Sequence, residues 1–455
     1  MSNTNMYVGL DIGTTSIKVI VAEDVKGQLN VISYGNVRSK GLSRGVIVDI
    51  DQVVGAMKEA IKDAEEKANV SIDEVIVGIP ANMLQIEQCR GMITLSDNNN
   101  RSREITEDDV RAVVQAAMTQ SLPPERAVID VVPDEFIIDD YSVTDPREMQ
   151  GMRLEMKGVL YTGSATIIHN IRKSVEKAGV RINEIVVAPI ASAQVALSED
   201  ERNFGSILID LGSGQTTAAV IHDHKLKYTY VDQEGGNYIT RDISVVLNTS
   251  PANAERLKTT YGYALASMAE TEESFSVQVV GQQEPEMITE EYLAQIIEAR
   301  LRQIFGKIYQ ALDGINALSM PGGIVLTGGG ADIWGIKELA EEIFGVRVKI
   351  YRPEEMGLRT PTFTQVIGLI EYGVRQSEIN HLVRSVVHNT SYRPNIKSEP
   401  VDDSNQELVH YQEEPEVDYI ASPADEEFQA IDDDNLAKKG IRDWKFFKWF
   451  SELFK

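Results

Sequence analysis

Cysteine is nearly absent. Cys89 stands alone in 455 residues, which excludes an internal disulfide and a cysteine-built zinc site. A lone thiol of this kind reads as a small apolar core residue rather than a nucleophile. Histidine is scarce too, six in all. His222 and His224 flank Asp223 at an apparent hairpin turn, a pattern that reads as a solvated turn rather than a metal site. Long hydrophobic runs are missing: no stretch reaches the roughly 18 apolar residues that a spanning helix needs. The first residues, MSNTNMYVGL, have neither the basic region nor the apolar core of a signal peptide, so the chain is expected to stay in the cytoplasm. Positive charge is in deficit. The net charge of −26 argues against nucleic acid as a partner.

What is present begins with residues 207–220, ILIDLGSGQTTAAV. An apolar run leads to Asp210, a Gly-Ser-Gly turn follows, and a second apolar run returns, the pattern of a buried strand doubling back as a hairpin. Gly212 and Gly214 let backbone approach a ligand closely. Ser213, Gln215, Thr216 and Thr217 add donors, so the turn can cradle phosphate oxygens. Asp210 would point a carboxylate into the same space, where Mg²⁺ is usually held through water.

Residues 7–21 repeat the design around DIGTTSIK: strand, Asp11, Gly13, Thr14, Thr15, then strand again. Two such hairpins so far apart imply a duplicated fold with a phosphate between the copies, not a solenoid. A third stretch, residues 323–332 (GIVLTGGGAD), is a buried strand ending in Gly328, Gly329 and Gly330, where only backbone could lie against a flat ligand such as adenine. Together DIGTTSIK, DLGSGQTT and TGGGA resemble the first phosphate, second phosphate and adenosine motifs of the actin, Hsp70 and sugar-kinase ATPase superfamily. Residues 187–197 (VAPIASAQVAL) and 363–373 (FTQVIGLIEYG) resemble its two connecting helices, whose small residues let helices cross closely at a hinge.

The expected fold class is α/β: an actin-like duplicated ATPase fold with an inserted β-α-β-β module, a disordered acidic linker and a C-terminal amphipathic helix. The first half is expected over residues 1–82, continued by 163–197 and 361–377. The module occupies 83–162, with strands near 84–95, 127–138 and 152–161. Its helix, residues 105–118, is announced by the capping pair Thr106 and Asp109. The second half takes 198–228 and 306–360, and a small lobe occupies 229–305. A helix over residues 51–68 carries Val53, Val54, Met57, Ala60, Ile61 and Ala64 as one apolar stripe. On the helix at 250–261, Glu255 and Lys258 share a face at i, i+3. The pair reads either as a surface ion pair of small worth or, by superfamily analogy, as flanking the ribose and base.

Periodicity ends near residue 378, and 378–439 is expected to be linker. Residues 399–434 hold many Asp and Glu, no Lys or Arg, and three prolines, a disordered composition. Residues 440–455, GIRDWKFFKWFSELFK, place Trp444, Phe446, Phe447, Trp449, Phe450, Leu453 and Phe454 on one broad helical face. Lys445, Lys448, Glu452 and Lys455 lie opposite, as in a helix that rests in a membrane interface.

A sugar kinase needs a catalytic base, for which no clear aspartate is found, and an Hsp70-type chaperone needs a β-rich domain that the acidic tail cannot form. The insertion, EGGN (234–237) followed by TRDI (240–243), AERLK (254–258) followed by YG (261–262), and the terminal helix instead resemble the FtsA family of bacterial cell-division proteins. That resemblance implies an ATP-binding, filament-forming protein with at most weak ATPase activity. Its partners would be a second copy of itself, the anionic cytoplasmic membrane face at the septum, other division proteins, and the C-terminal peptide of the tubulin-like protein FtsZ. By matched position, Gly13, Thr14, Thr15 and Lys18 would hold phosphates from one side, and Gly212, Ser213, Gly214, Gln215 and Thr216 from the other. Asp11 and Asp210 would orient Mg²⁺, while Gly236, Glu255, Lys258, Gly328, Gly329 and Gly330 would frame the nucleoside. Asn237, Glu298 and Arg300 are the expected peptide contacts on the small lobe. A tethered cell-shape or pilus-assembly scaffold, and more remotely a metabolic kinase, remain the alternatives.

Overall fold

Two five-stranded sheets of one design organise the molecule. The computed structural model describes residues 6–95, 101–119, 122–270 and 272–388. The expected linker beyond 388 and the helix at 440–455 lie outside the described residues. So do all seven residues expected on its membrane face.

In the first sheet, Met6–Ile12 and Ser16–Val25 form an antiparallel hairpin, Gln28–Arg38 extends it antiparallel, and Glu74–Ile79 then Arg181–Val187 add parallel strands on the other side. In the second, Ser206–Leu211 and Thr216–His222 form the hairpin and Lys225–Asp232 extends it. Ile324–Thr327 and Val348–Ile350 supply the parallel strands. Order and sense match strand for strand, so Asp11 and Asp210 occupy equivalent places. The central strands are buried on both faces, which is why Leu10, Ile17, Val19, Ile207, Ile209 and Val220 run apolar without strict alternation.

Helices cover the sheets by the expected stripes. In Ile50–Ala68 the buried residues are those of the predicted stripe together with Ala56. Ala188–Ala196 and Thr364–Val374 cross between the halves. At that crossing a side chain on Gly368 would stand 2.1 Å from the Ala191 carbonyl oxygen, so the approach requires glycine.

Within 83–162, Gln85–Thr94, Arg126–Ile138 and Arg153–Ser164 form a sheet with an edge strand at Tyr141–Val143. Glu107–Met118 packs across it. At its start the Asp109 carboxylate accepts the Thr106 backbone N–H at 2.9 Å. Arg103 grips the same carboxylate at 2.5 and 2.7 Å, holding the Asp109 carboxyl down at about 2.

One expectation is corrected here. Residues 378–388 are not linker: Glu378–His388 is a helix whose Ile379, Leu382 and Val383 join Val110, Val113, Val114, Phe136 and Leu160 in one core. The insertion is therefore completed by chain from beyond the second half. The helix escaped the sequence reading because Arg384, Ser385 and His388 interrupt its buried face, where an apolar stripe would continue.

Candidate nucleotide site

The hairpins face each other across a cleft of about 520 Å³, within the range of small-molecule sites. Each strand end delivers an aspartate to it. Asp11 is buried, bonded to Lys18 Nζ at 2.8 Å and accepting from Gln365 Nε2 at 2.8 Å. Burial first, and the Asp11 carboxylate second, push the Asp210 carboxyl up to about 6, with Lys18 pulling the other way. The two carboxylates thus act on each other through the same field as the Lys18 ammonium, which bonds Asp11. That donor set fits Mg²⁺, which takes one or two carboxylates and leaves its other positions to water and phosphate oxygens. Among the described residues no third His, Cys, Asp or Glu converges, so the protein alone forms no closed cage.

The hairpin tips touch. Thr15 Oγ1 donates to Ser213 Oγ at 2.5 Å, and Gly214 lies against the Thr14 side chain. Thr14 Oγ1 in turn accepts the Gly45 backbone N–H at 3.2 Å. The second turn is braced from behind, because the Gly212 and Ser213 carbonyls accept from the Gly236 and Asn237 amides at 2.9 and 2.8 Å. Gly13, Thr14, Thr15, Lys18, Gly212, Ser213, Gly214 and Gln215 all line the cleft, as expected.

Thr216 does not. It is fully buried, and its hydroxyl donates to the Glu234 carbonyl at 2.8 Å. Strand alternation turns the next residue inward, and Thr217 is the one that lines the cleft. The duplication carries the signal that finds it. Asp11 pairs with Lys18 across the first hairpin and Asp210 with Thr217 across the second, so Thr217 stands in the place of Lys18.

Beside the second hairpin the strand Ile324–Thr327 runs into Gly328, Gly329 and Gly330, which also line the cleft. Gly328 sits at φ +82, and a Cβ there would stand 2.0 Å from Asp210 Oδ1. No other residue fits. Across from this shelf, Lys258 is buried and donates to the Gly236 carbonyl at 3.0 Å, Thr240 Oγ1 at 2.8 Å and Glu255 Oε2 at 2.7 Å. Burial lowers the Lys258 pKa even though Glu255 raises it. Gly236, Glu255 and Lys258 line the cleft, so the pair is no idle surface bridge. Gln365, Thr364 and Trp334 also line it and were not foreseen: Trp334 lies just past the glycine motif, and Thr364 and Gln365 open a stretch that was read only as a connecting helix.

The expected peptide contacts divide. Asn237 is exposed. Arg300 is buried inside the lobe, its guanidinium bonded to Asp242 at 2.6 and 3.0 Å and to Glu234 at 3.0 Å. Glu298 accepts the Ala266 amide and an Arg302 N–H, each at 2.7 Å. Both side chains are thus tied into the lobe by these bonds.

Two sheets of one strand order, with paired turns and a glycine shelf lining one cleft, define the actin-like class. Solved structures share the fold. The PilM–PilN type IV pilus biogenesis complex superposes with TM-score 0.56 at 16% identity, covering 81% of this chain and 99% of that one. MreB5 of Spiroplasma citri bound to ADP gives 0.52 at 14% identity, covering 82% and 99%. Sequence narrows the class. A family model described as cell division protein FtsA matches residues 207–368, and one described as the SHS2 domain inserted in FtsA matches 81–162. Cell division protein FtsA of Enterococcus faecalis is 48% identical over 455 residues, covering all of both chains. That of Enterococcus hirae is 50% identical over 426 residues, covering 91% of this chain and 95% of its own. This chain belongs to the FtsA family of cell division proteins.

Proposed function

We propose that the cleft binds Mg·ATP and that the chain polymerises at the cytoplasmic membrane face. There it would hold FtsZ filaments through its small lobe and recruit later division proteins. The observation that carries the reading is the clasp: two phosphate-type turns touching at Thr15 and Ser213 above a pair of strand-end aspartates. Lys18 and the turn amides of residues 13–15 and 212–215 would hold phosphates. Asp11 and Asp210 would hold Mg²⁺, which, when bound, neutralises phosphate charge that the two carboxylates alone would repel. Gly328, Gly329, Gly330, Glu255 and Lys258 would frame the nucleoside. The FtsZ peptide would meet the outer face of residues 229–305 near Asn237, with Arg300 and Glu298 holding that face in shape.

The helix at 440–455 would anchor the assembly and the acidic linker would space it. A flexible chain of about 50 residues reaches roughly 40 Å, and like charges extend it. Its apolar face buries large side chains in the interface, and its lysines add about 1 kcal/mol each near anionic lipid. The test is binding of a labelled FtsZ C-terminal peptide to the full chain, read by fluorescence anisotropy. Saturable binding, weakened by Asn237→Ala, is expected. A folded, ATP-binding chain that ignores the peptide would overturn the FtsZ part of this reading.

A further inference from the structure

Trp334 is the unabsorbed residue of the cleft. Among the described residues it is the only aromatic that lines it, yet the residue is 72% exposed, which puts the indole at the mouth. Its backbone is fixed. The Trp334 carbonyl accepts the Ala264 amide at 2.7 Å, and Tyr263 and Trp334 form a parallel bridge. The chain then turns through Gly335 at φ +78, beside Met268. A pinned main chain thus carries a large, rigid, open ring.

Its surroundings say what the ring could cover. It follows the shelf of Gly328, Gly329 and Gly330 directly in sequence, and Asp332 and Ile333 between them also line the cleft. The same cleft is lined by Glu255, Thr259 and Gly262 from the helix Pro251–Tyr261 and its end. The Lys258 ammonium is engaged by three partners of its own. This part of the cleft therefore offers a flat backbone floor and one aromatic plane, the two surfaces a planar heterocycle needs.

We propose that Trp334 stacks on the purine of the bound nucleotide and closes the base end of the cleft; this rests on the ATP reading above. The indole supplies affinity for any nucleotide with that base, and none of the discrimination between di- and triphosphate. Base–aromatic stacking of this kind costs roughly five- to a hundredfold in affinity when the ring is truncated to alanine.

Intrinsic fluorescence and titration calorimetry of the full chain test it together. Mg·ATP should quench or shift the emission of the native chain, and Trp334→Phe should abolish that response while keeping most of the affinity. Trp334→Ala should weaken ATP and ADP by the same factor, about tenfold, at an unchanged melting temperature. If calorimetry shows normal ATP binding but the native emission does not respond, the indole does not touch the base and the proposal fails. An emission that follows protein concentration and not nucleotide, and that is lost in Trp334→Phe, would make Trp334 a contact between copies, and also overturns it. Absence of any nucleotide binding in the folded chain would instead sink the ATP reading on which the proposal stands.

Discussion

Removing the Asp210 carboxylate takes away half of the charge pair at the floor of the cleft. Asp210→Ala should lower Mg·ATP affinity at least tenfold, about 1.4 kcal/mol, by calorimetry. With the metal chelated the same substitution should change little, because the carboxylate acts on phosphate only through the cation. Equal weakening in both conditions would place Mg²⁺ elsewhere. The adjacent threonines separate structure from binding. Thr216→Val leaves the Glu234 carbonyl without its buried donor and should cost about 1 kcal/mol of stability, seen as a lower melting temperature with nucleotide affinity kept. Thr217→Val should do the reverse, weakening Mg·ATP roughly fivefold at constant stability, since its hydroxyl faces the cleft. Most cleft residues were legible because turn chemistry restricts which residues can stand there: aspartate at the strand end, glycine in the turn. Which of two successive threonines faces inward is a matter of register, and a single hairpin does not reveal it. The packed partners of Arg300 and Glu298 were invisible for a related reason, since Asp242 lies 58 positions from Arg300 in sequence.

The helix Glu378–His388 matters most among the elements, because it completes the core of the insertion. Its Arg384 is buried and bonds Tyr372, with Asp130 at 3.4 Å and Glu184 at 3.8 Å. His381 meets Glu184 at 3.4 Å. Tyr372 ends the crossing helix, Glu184 belongs to the first sheet and Asp130 to the insertion, so one network joins all three to the C-terminal helix. Arg384→Met would leave Asp130 and Glu184 buried without their cation, at about 3–5 kcal/mol. Limited proteolysis should then cut within 378–388. His388 adds a pH dependence. Burial, with Arg172 and Arg384 nearby, lowers its pKa to about 4 from an ordinary 6.5, while Glu184 opposes. A histidine depressed in the folded state contributes stability that is complete above 6.5 and is lost as pH falls toward 4. The Asp130 carboxyl, raised by burial, acts in the opposite sense and narrows the loss. Protection factors for amide exchange in 378–388, taken relative to the intrinsic rate at each pH, should therefore fall between pH 6.5 and 4 before those of the two sheets. Protection factors that stay constant across that window would remove His388 from this network. The apolar spacing of Ile379, Leu382 and Val383 was present in the sequence, but burial of Arg384 depends on partners from three distant segments that no local pattern announces.

At the scale of the whole molecule the duplication made the fold readable. Two hairpins, each followed in the chain by a small-residue helix, with a glycine strand before the second helix, leave few ways to close the chain. The packing of a C-terminal helix onto the insertion was not readable, since it is a long-range contact between segments that are each incomplete alone. On the proposed function, a nucleotide-binding core and the helix at 440–455 would together hold FtsZ to a membrane. Sedimentation of FtsZ with anionic liposomes, in the presence of the full chain and Mg·ATP, tests it most directly. The native chain should carry FtsZ down with the vesicles. A chain bearing Trp444→Glu and Phe450→Glu should leave both proteins in the supernatant, with its melting temperature and ATP affinity unchanged. FtsZ that sediments as well with the double variant, or that stays behind while the native chain itself goes down with the lipid, would contradict the account.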